Sequence, residues 1–375
     1  MSLIKSISGI RGTIGGKVSD NLTPIDTVKF AAAYGMWLKN QSKKENLTVV
    51  IGRDARTSGK MVSSLVSNTL VGLGINVTDI GLSTTPTVEI AVKMDEADGG
   101  IIITASHNPK QWNALKLLNN KGEFLNAEEG EKVLQIAEND AYLFAEVDDL
   151  GRYRKKQGYI NKHIKEVLNL KLVDVEAIKK AKFKVVVDAV NSTGGIAIPA
   201  LLEKLGVECV ELYCEPNGEF PHNPEPLKEH LGDLCDAVVE NKADFGIAVD
   251  PDVDRLVFVC EDGELFGEEK ENVTLKSYFY MKGMQDNGIL TSAKHFPGHG
   301  DTSTDSHKTL PFISHDKKRI LKTELKPFKT LINNGLESVM IAHLEVPSLE
   351  KTKGLPSTLS YSIVTSLLKN TLGFK

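Results

Sequence analysis

Hydrophobic positions in the first part of the chain alternate between short runs and longer, helically spaced stretches. Runs rich in β-branched residues occur at Thr48–Ile51, Asn76–Ile80 and Gly100–Thr104, and Gly59–Leu73 between the first two has the spacing of a helix. Such β-α-β alternation predicts a parallel or mixed sheet covered by helices.

A second unit of the same kind begins near Lys184. It predicts a helix at Gly195–Leu205 and strands at Lys184–Val190, Glu208–Tyr213, Phe245–Val249 and Leu256–Cys260. The charged segment 138–180 between the two units shows no long strand pattern and predicts helical linker material. A domain boundary is therefore placed near residue 150.

After Gly267 the pattern changes to a repeated β-loop-α arrangement. Helices are predicted at 271–287 and 322–334, and strands within 289–296 and 338–343. This succession is typical of consecutive units of a (β/α) barrel, although the units are too few to close one.

The predicted fold class is therefore α/β. Two α/β domains are expected at 1–150 and 151–265, followed by a partial (β/α) barrel segment at 266–375.

Composition narrows the range of partners. The chain has 375 residues and a formal net charge of -5, which gives no electrostatic reason to expect nucleic acid or an anionic membrane. No apolar run approaches the roughly 20 residues that span a bilayer, so a cytoplasmic location is expected. The four cysteines form no CxxC pair, which argues against a zinc site or a disulfide framework.

The segment Thr104–Lys116, TASHNPKQWNALK, places a small hydroxyl residue where a buried strand ends. Ser106 is a candidate phosphoryl carrier, because a serine at such a turn can present its hydroxyl to a cleft while backbone N–H groups meet phosphate oxygens. The alternative is that Ser106 caps a helix formed by the polar segment behind it.

The segment Asp250–Arg255, DPDVDR, carries three carboxylates at alternate positions between two predicted strands. A looped backbone could bring Asp250, Asp252 and Asp254 together on one hard cation such as Mg²⁺. The alternative is an acidic surface loop.

Two arginine-bearing segments are candidates for phosphate binding. SGIRGT (Ser8–Thr13) is predicted to present Arg11 on a glycine-flanked loop, and GRDAR (Gly52–Arg56) offers Arg53 and Arg56 after a strand. Either set could bind phosphate in bidentate fashion; the alternative is that these are solvated charges.

These four segments resemble, in order and spacing, the α-D-phosphohexomutase family, which includes phosphoglucomutase, phosphomannomutase and phosphoglucosamine mutase. The resemblance implies a hexose phosphate substrate and a phosphoserine at Ser106. It also implies binding of Mg²⁺ by that serine together with Asp250, Asp252 and Asp254. The family commonly has glycine where Pro251 and Val253 stand.

The remaining residues implied by this resemblance surround the serine. Arg11, His107 and Lys116 would serve proton transfer or charge stabilisation, while Arg53 and Arg255 would bind the substrate. The family's third and fourth domains, which recognise the sugar and bind its other phosphate, are not recognisable after Phe266, so turnover is expected to be impaired.

From about Phe266 the chain resembles family 3 glycoside hydrolases of the β-N-acetylglucosaminidase type. The resemblance rests on four segments: KHFPGHGDTSTDSHKTLP (Lys294–Pro311), ELKPFKTLI (Glu324–Ile332), SVMIAHLEVP (Ser338–Pro347) and PSTLS (Pro356–Ser360). It implies an N-acetylglucosaminide ligand, with Lys294 and His295 contacting the sugar.

In that second family Asp305 and His307 would form an acid/base dyad, in which the aspartate orients the imidazole. The nucleophilic aspartate that retaining hydrolysis needs is expected just beyond Lys375. The chain thus resembles a hybrid of two partial enzymes, with a junction near Phe266–Glu268.

Three hypotheses follow, ranked by how complete their motifs are. The first is a phosphohexomutase-type phosphotransferase, because its phosphoserine and cation ligands are all present. The second is a glycosidase that lacks its nucleophile. The third is a non-catalytic hybrid that binds a sugar or a sugar phosphate.

Overall fold

The computed structural model describes residues 2–6, 9–42, 44–266, 270–300, 302 and 310–375. It divides into two compact units, one ending at Leu265 and the other running from Phe266 to Lys375. No helix within these described ranges is long and apolar enough to cross a membrane.

The first unit begins with a mixed sheet and its covering helices. Its elements are β1 (Ile4–Ser6), β2 (Gly9–Thr13), α1 (Pro24–Gln41), β3 (Thr48–Arg53), α2 (Gly59–Gly72), β4 (Asn76–Leu82), α3 (Thr85–Met94), β5 (Gly99–Ile103), β6 (Trp112–Leu118), α4 (Ala127–Glu138) and β7 (Tyr153–Lys155). The strand order is β1-β2-β6-β5-β3-β4-β7, with β3 parallel to β4 and β5 and with β6 antiparallel to β5 and β2.

Successive side chains of the central strands point to opposite faces of this sheet, and each face has its own apolar core. Ile51 and Ile101 face α1 and α2, whereas Val50 and Ile102 pack against α3. All four side chains are fully buried. Burial on both faces explains why these strands appear in the sequence as continuous apolar runs.

The second sheet of the first unit is smaller and follows two helices. The elements are α5 (Tyr159–Leu168), α6 (Val175–Ala181), β8 (Lys184–Asp188), α7 (Gly194–Lys204), β9 (Glu208–Leu212), α8 (Gly232–Glu240), β10 (Phe245–Val249) and β11 (Leu256–Cys260). The strand order is β11-β10-β8-β9, with β8 parallel to β9 and β10, and β11 antiparallel to β10.

All four cysteines lie in this second half of the first unit. Cys209, Cys214, Cys235 and Cys260 are half-buried and form no disulfide. Burial is the main cause that raises the pKa of the Cys209 thiol to about 11 and that of Cys214 to about 12.

The second unit contains a short parallel sheet and packed helices. Its elements are α9 (Lys270–Gln285), β12 (Ser292–Phe296), α10 (Lys317–Lys322), α11 (Leu325–Asn333), β13 (Ser338–Ile341) and a π-type helix at Ser362–Thr371. Phe296 of β12 and Phe328 of α11 meet edge to face, with ring centroids 5.2 Å apart, inside one apolar core.

The α/β fold class is confirmed, but two segments that carry predicted site residues have a different conformation from the one predicted. The sequence predicts a loop around Arg11 and the possible start of a helix behind Ser106. In the structure Arg11 lies in β2, and Trp112–Leu118 form β6. β6 contains no β-branched residue, and β2 contains two glycines among its five residues. Their strand conformation comes from pairing with the sheet, where Ile102 lies opposite Lys116.

The linker prediction needs a smaller correction. Segment 138–180 contains two helices, as expected, but also β7, which extends the first sheet by pairing in parallel with β4. The boundary near residue 150 stays a prediction.

Tyr34 provides a test of the first core. Its hydroxyl lies 2.8 Å from the carbonyl oxygen of Leu118 and 3.2 Å from that of Gly100, so it can donate to either strand. Complete burial raises the pKa of Tyr34 and keeps the phenol neutral. We expect Tyr34→Phe to lower the free energy of unfolding by about 1 kcal/mol, because a buried hydrogen bond is lost.

The measurement is urea unfolding followed by tryptophan fluorescence, since both tryptophans, Trp37 and Trp112, lie in the first unit. The matched control is Tyr142→Phe, because the Tyr142 hydroxyl donates to the exposed Asp140. It should change the unfolding free energy by less than about 0.5 kcal/mol. Equal losses in the two variants would contradict the role given to Tyr34.

Candidate functional site

Ser106 lies in a tight turn after the carboxyl end of β5. Its backbone φ is 49°, in the left-handed region that residues other than glycine seldom adopt. The Ser106 N–H donates to Thr104 Oγ1 at 2.9 Å, and only 9% of the residue is exposed. The helix-cap alternative is wrong, because the chain continues from this turn into β6.

The Arg56 side chain stabilises this turn by donating hydrogen bonds to its backbone carbonyls. Its Nη2 donates to the carbonyl oxygens of Ser106 (2.5 Å) and Asn108 (2.6 Å), and its Nη1 to those of Pro109 (2.7 Å) and Trp112 (3.2 Å). With Nε bonded to Asp54 Oδ2 at 3.0 Å, all five N–H donors of a guanidinium have partners. Arg56 is therefore committed to the turn, and the hypothesis that it binds phosphate is wrong.

Asp54 completes the hydrogen-bond network that supports the turn. One of its carboxylate oxygens accepts from the Arg56 N–H, and the other accepts from Arg56 Nε and from Thr104 Oγ1. Burial raises the pKa of Asp54, and the positive charge of Arg56 opposes that shift. Asp54, Arg56 and Thr104 thus form one buried polar network beneath Ser106.

The acidic segment follows β10, so its residues leave the carboxyl end of that strand. One carboxylate oxygen from each of Asp250, Asp252 and Asp254 lies within 4.8 Å of the others. Asp250 and Asp252 are fully buried, so the surface-loop alternative is wrong for these two residues. Within the loop Val253 has a φ of 61°, which a glycine would adopt without strain.

The turn at Ser106 and the acidic loop, Asp250–Arg255, are in direct contact. Ser106 Oγ lies 2.6 Å from Asp250 Oδ2 and 3.2 Å from Asp254 Oδ1, close enough to donate its hydrogen to either. Lys116, on β6, donates to Asp252 Oδ2 at 2.8 Å and to Asp254 Oδ2 at 2.9 Å. Residues far apart in sequence thus form one cluster of a hydroxyl, three carboxylates and an ammonium.

The cluster contains more negative than positive charge. Burial, with the adjacent charges of Asp252 and Asp254, raises the pKa of Asp250 to about 8. Burial acts to lower the pKa of Lys116, but the two carboxylates it contacts raise it overall. Burial acts to raise the pKa of Asp254, but Lys116 holds it below its usual value. A cation bound here would offset the remaining repulsion.

The residues fit a hard divalent cation. Every candidate ligand is an oxygen, which Mg²⁺ prefers. Among the residues that the structure describes, Asp252 Oδ1 is buried without a hydrogen-bond partner, so its lone pairs remain available. An unpaired buried carboxylate oxygen is costly, and coordination would relieve that cost.

Two other predicted site residues flank the serine. His107 Nδ1 lies 3.4 Å from Ser106 Oγ, and its Nε2 lies 3.5 Å from Arg255 Nη2. Burial and the Arg255 charge lower the pKa of His107. Arg255 also forms an ion pair with Glu225 at 2.8 Å.

The remaining two arginines differ in their contacts. Arg11 lies on β2, where it pairs with Ala114, and its charge contributes to lowering the pKa of His107. Within the described ranges its Nε is buried without a hydrogen-bond partner. Arg53, at the end of β3, donates from Nη1 to the carbonyl of its neighbour Asp54 at 2.9 Å.

The predicted residues of the tail are only partly described. Lys294 is exposed on β12, and His295 beside it is half-buried. Burial, with the charge of Lys294, lowers the pKa of His295. Asp305 and His307 lie outside the described residues.

The sequence motifs do not single out two residues that support the site. Asp54 bonds to Arg56 and Thr104 beneath the serine, and Thr85 contacts the acidic loop. Thr85 Oγ1 donates to Asp252 Oδ2 at 2.5 Å. A usable signal existed for both, because each follows the carboxyl end of a strand in a parallel part of the sheet, where ligand sites in α/β folds occur.

Three family models match the chain. "Phosphoglucomutase/phosphomannomutase, alpha/beta/alpha domain I" matches residues 3–143, and domain II of the same family matches 158–263. "Glycosyl hydrolase family 3 N terminal domain" matches residues 252–375. Both resemblances drawn from the sequence motifs are confirmed.

Curated relatives support the first match. A phosphoglucomutase/phosphomannomutase of Thermococcus kodakarensis is 38% identical over 262 residues, covering 69% of this chain and 57% of the relative. A probable phosphoglucosamine mutase of Methanopyrus kandleri is 33% identical over 264 residues, covering 70% of this chain and 55% of the relative. The chain thus spans little more than half the length of these relatives.

A solved structure also supports the match to the phosphoglucomutase/phosphomannomutase family. The crystal structure of a putative phosphomannomutase from Thermus thermophilus superposes with a TM-score of 0.65 at 25% identity, covering 79% of this chain and 65% of that one.

The network beneath Ser106 predicts a large effect of substituting Arg56. We expect Arg56→Met to lower the free energy of unfolding by about 3–5 kcal/mol, because Asp54 would be left buried without its partner. Arg56→Lys should lose less, since it keeps the charge but offers only three donors. Urea unfolding followed by tryptophan fluorescence measures both.

Arg53→Met is the matched control. Among the described residues, the Arg53 side chain makes one hydrogen bond, to the backbone of its neighbour, so we expect a loss within about 1 kcal/mol. A loss as large as that of Arg56→Met would show that the fold depends on this arginine pair in general.

Proposed function

The chain belongs, over residues 3–143 and 158–263, to the phosphoglucomutase/phosphomannomutase family, and we propose that this part transfers a phosphoryl group between Ser106 and a hexose phosphate. The observation that carries the proposal is the 2.6 Å contact between Ser106 Oγ and Asp250 Oδ2, inside a cluster of three aspartates and one lysine. The domain division at 1–150, 151–265 and 266–375 is proposed with it.

The transfer exchanges one phosphoester for another. The bond from phosphorus to a sugar oxygen breaks, a bond from phosphorus to Ser106 Oγ forms, and the serine proton passes in net terms to the sugar oxygen. The reverse transfer, onto a different hydroxyl of the sugar, completes an isomerisation. Because little covalent chemistry is required of the protein, positioning and charge stabilisation supply most of the catalysis.

The proposed cation site consists of Asp250, Asp252 and Asp254 with Ser106. Mg²⁺ bound there would neutralise negative charge on the phosphoryl oxygens during transfer. Asp252 Oδ1 supports this assignment, because it is buried and has no hydrogen-bond partner in the described part of the chain.

The charged residues around the serine have proposed roles that follow their positions. Lys116 and Arg11 stabilise negative charge, and Arg11 Nε, which has no hydrogen-bond partner among the described residues, is a donor for an anionic group. His107, 3.4 Å from the serine oxygen, is placed to relay a proton. Arg53 and Arg255 bind the substrate phosphate or hydroxyl groups.

The proposal predicts that Ser106 becomes phosphorylated. With glucose 1,6-bisphosphate and Mg²⁺, the purified chain should acquire one phosphoryl group on Ser106, detected by phosphopeptide mass spectrometry. Ser106→Ala should remain unmodified, and chelation of the metal should slow the reaction by at least about a hundredfold, since the cation offsets transition-state charge.

Ser64→Ala is the matched control, because Ser64 is an exposed serine on α2 whose hydroxyl donates to the Lys60 carbonyl of the same helix. It should be phosphorylated like the unmodified sequence. Absence of phosphate on Ser106, or an equal amount on Ser106→Ala, would remove the basis for the proposed transfer.

A further inference from the structure

Thr85 contacts the acidic loop twice. It is the first residue of α3, and its backbone N–H donates to the carbonyl oxygen of Asp252 at 2.8 Å. Its hydroxyl donates to Oδ2 of the same aspartate at 2.5 Å. Thr85 is 2% exposed and Asp252 is fully buried, so water does not compete for these bonds.

The two bonds restrict both the backbone and the side chain of Asp252. The first fixes its backbone against the amino terminus of α3, and the second, together with Lys116 at 2.8 Å, occupies Oδ2. Oδ1 is then the oxygen with unused lone pairs, and it has no hydrogen-bond partner among the described residues. A carboxylate held in this way is already oriented before a cation arrives, which lowers the cost of binding.

A helix-capping role does not explain the Thr85 hydroxyl. The residue that caps α3 is Thr84, whose side chain accepts from the backbone N–H of Thr87 at 3.1 Å. The Thr85 hydroxyl instead bonds across to the loop that follows β10. Its contact is therefore with the proposed cation site and not with its own helix.

We propose that Thr85 is a positioning residue that orients Asp252 for cation binding and links α3 to the acidic loop. The inference rests on the proposed function, because it takes Asp252 as a cation ligand. Hydrogen-bond partners of metal ligands typically contribute about 10- to 100-fold in metal affinity.

Other contacts hold the acidic loop but leave the Asp252 side chain free. Ser192 Oγ and Thr193 Oγ1 both donate to the carbonyl of Pro251, at 2.7 and 2.8 Å. These two bonds hold the backbone at Pro251, the residue before Asp252. Removing the Thr85 hydroxyl should therefore take away one of the two hydrogen bonds to Asp252 Oδ2, leaving the bond from Lys116, while the loop stays in place.

The test is direct binding of Mn²⁺, measured from the electron paramagnetic resonance signal of the free ion, on the full chain. We expect Thr85→Val, which keeps the shape and the backbone N–H, to raise the Kd about 10-fold or more. Thr85→Ser, which restores a hydroxyl, should recover most of the affinity.

Thr87→Val is the matched control. Thr87 is a buried threonine of the same helix whose hydroxyl bonds to Thr84 and His163, away from the acidic loop. It should lose stability much as Thr85→Val does, yet bind Mn²⁺ with unchanged affinity. Equal weakening by both valine variants would overturn the inference, because the effect would then come from the helix in general.

Asp252→Asn separates this inference from the proposed function. If the unmodified chain binds Mn²⁺, and Asp252→Asn weakens binding while Thr85→Val does not, only the role of Thr85 is wrong. If the unmodified chain binds no Mn²⁺ at millimolar concentration, the cation site and the role of Thr85 are both wrong.

Discussion

The Asp54–Arg56 ion pair lies fully buried beneath the turn that carries Ser106. A charge pair in the interior is expensive unless every donor and acceptor is used, and here the guanidinium uses all of its donors. Four of these bonds go to backbone carbonyls between Ser106 and Trp112. This network offsets the strain of a left-handed serine, and without it the hydroxyl would have no fixed position relative to the carboxylates.

The second constraint is the imbalance of charge around Ser106. Three carboxylates converge near this serine, and Lys116 is in direct contact with two of them, Asp252 and Asp254. Repulsion of this kind opposes folding of the loop, so the loop needs firm attachment, which the bonds to Pro251 and Asp252 provide. The folded chain thus contains unfavourable repulsion between carboxylates, which a bound cation would reduce.

Much of the fold could be predicted because its signals are local. Parallel strands such as Thr48–Arg53 and Gly99–Ile103 are buried on both faces and appear as apolar runs. β2 and β6 escaped prediction because their strand character depends on partners distant in sequence. In the site, motif spacing identified Ser106 and the three aspartates, whereas Thr85 acts through one hydroxyl that meets Asp252 only in the folded chain.

The distribution of cysteine and tryptophan gives the two sheets of the first unit separate intrinsic probes. Both tryptophans lie with the sheet that carries Ser106, and all four thiols lie with the sheet that carries the aspartates. Because burial raises the pKa of Cys209 and Cys214, little of these half-buried thiols is ionised near neutral pH, and their alkylation in the native protein is slow. Pulsed thiol labelling would report changes in thiol accessibility in the aspartate-bearing half, while indole emission reports its neighbour. Motions of the two halves of the site can thus be timed independently without adding a label.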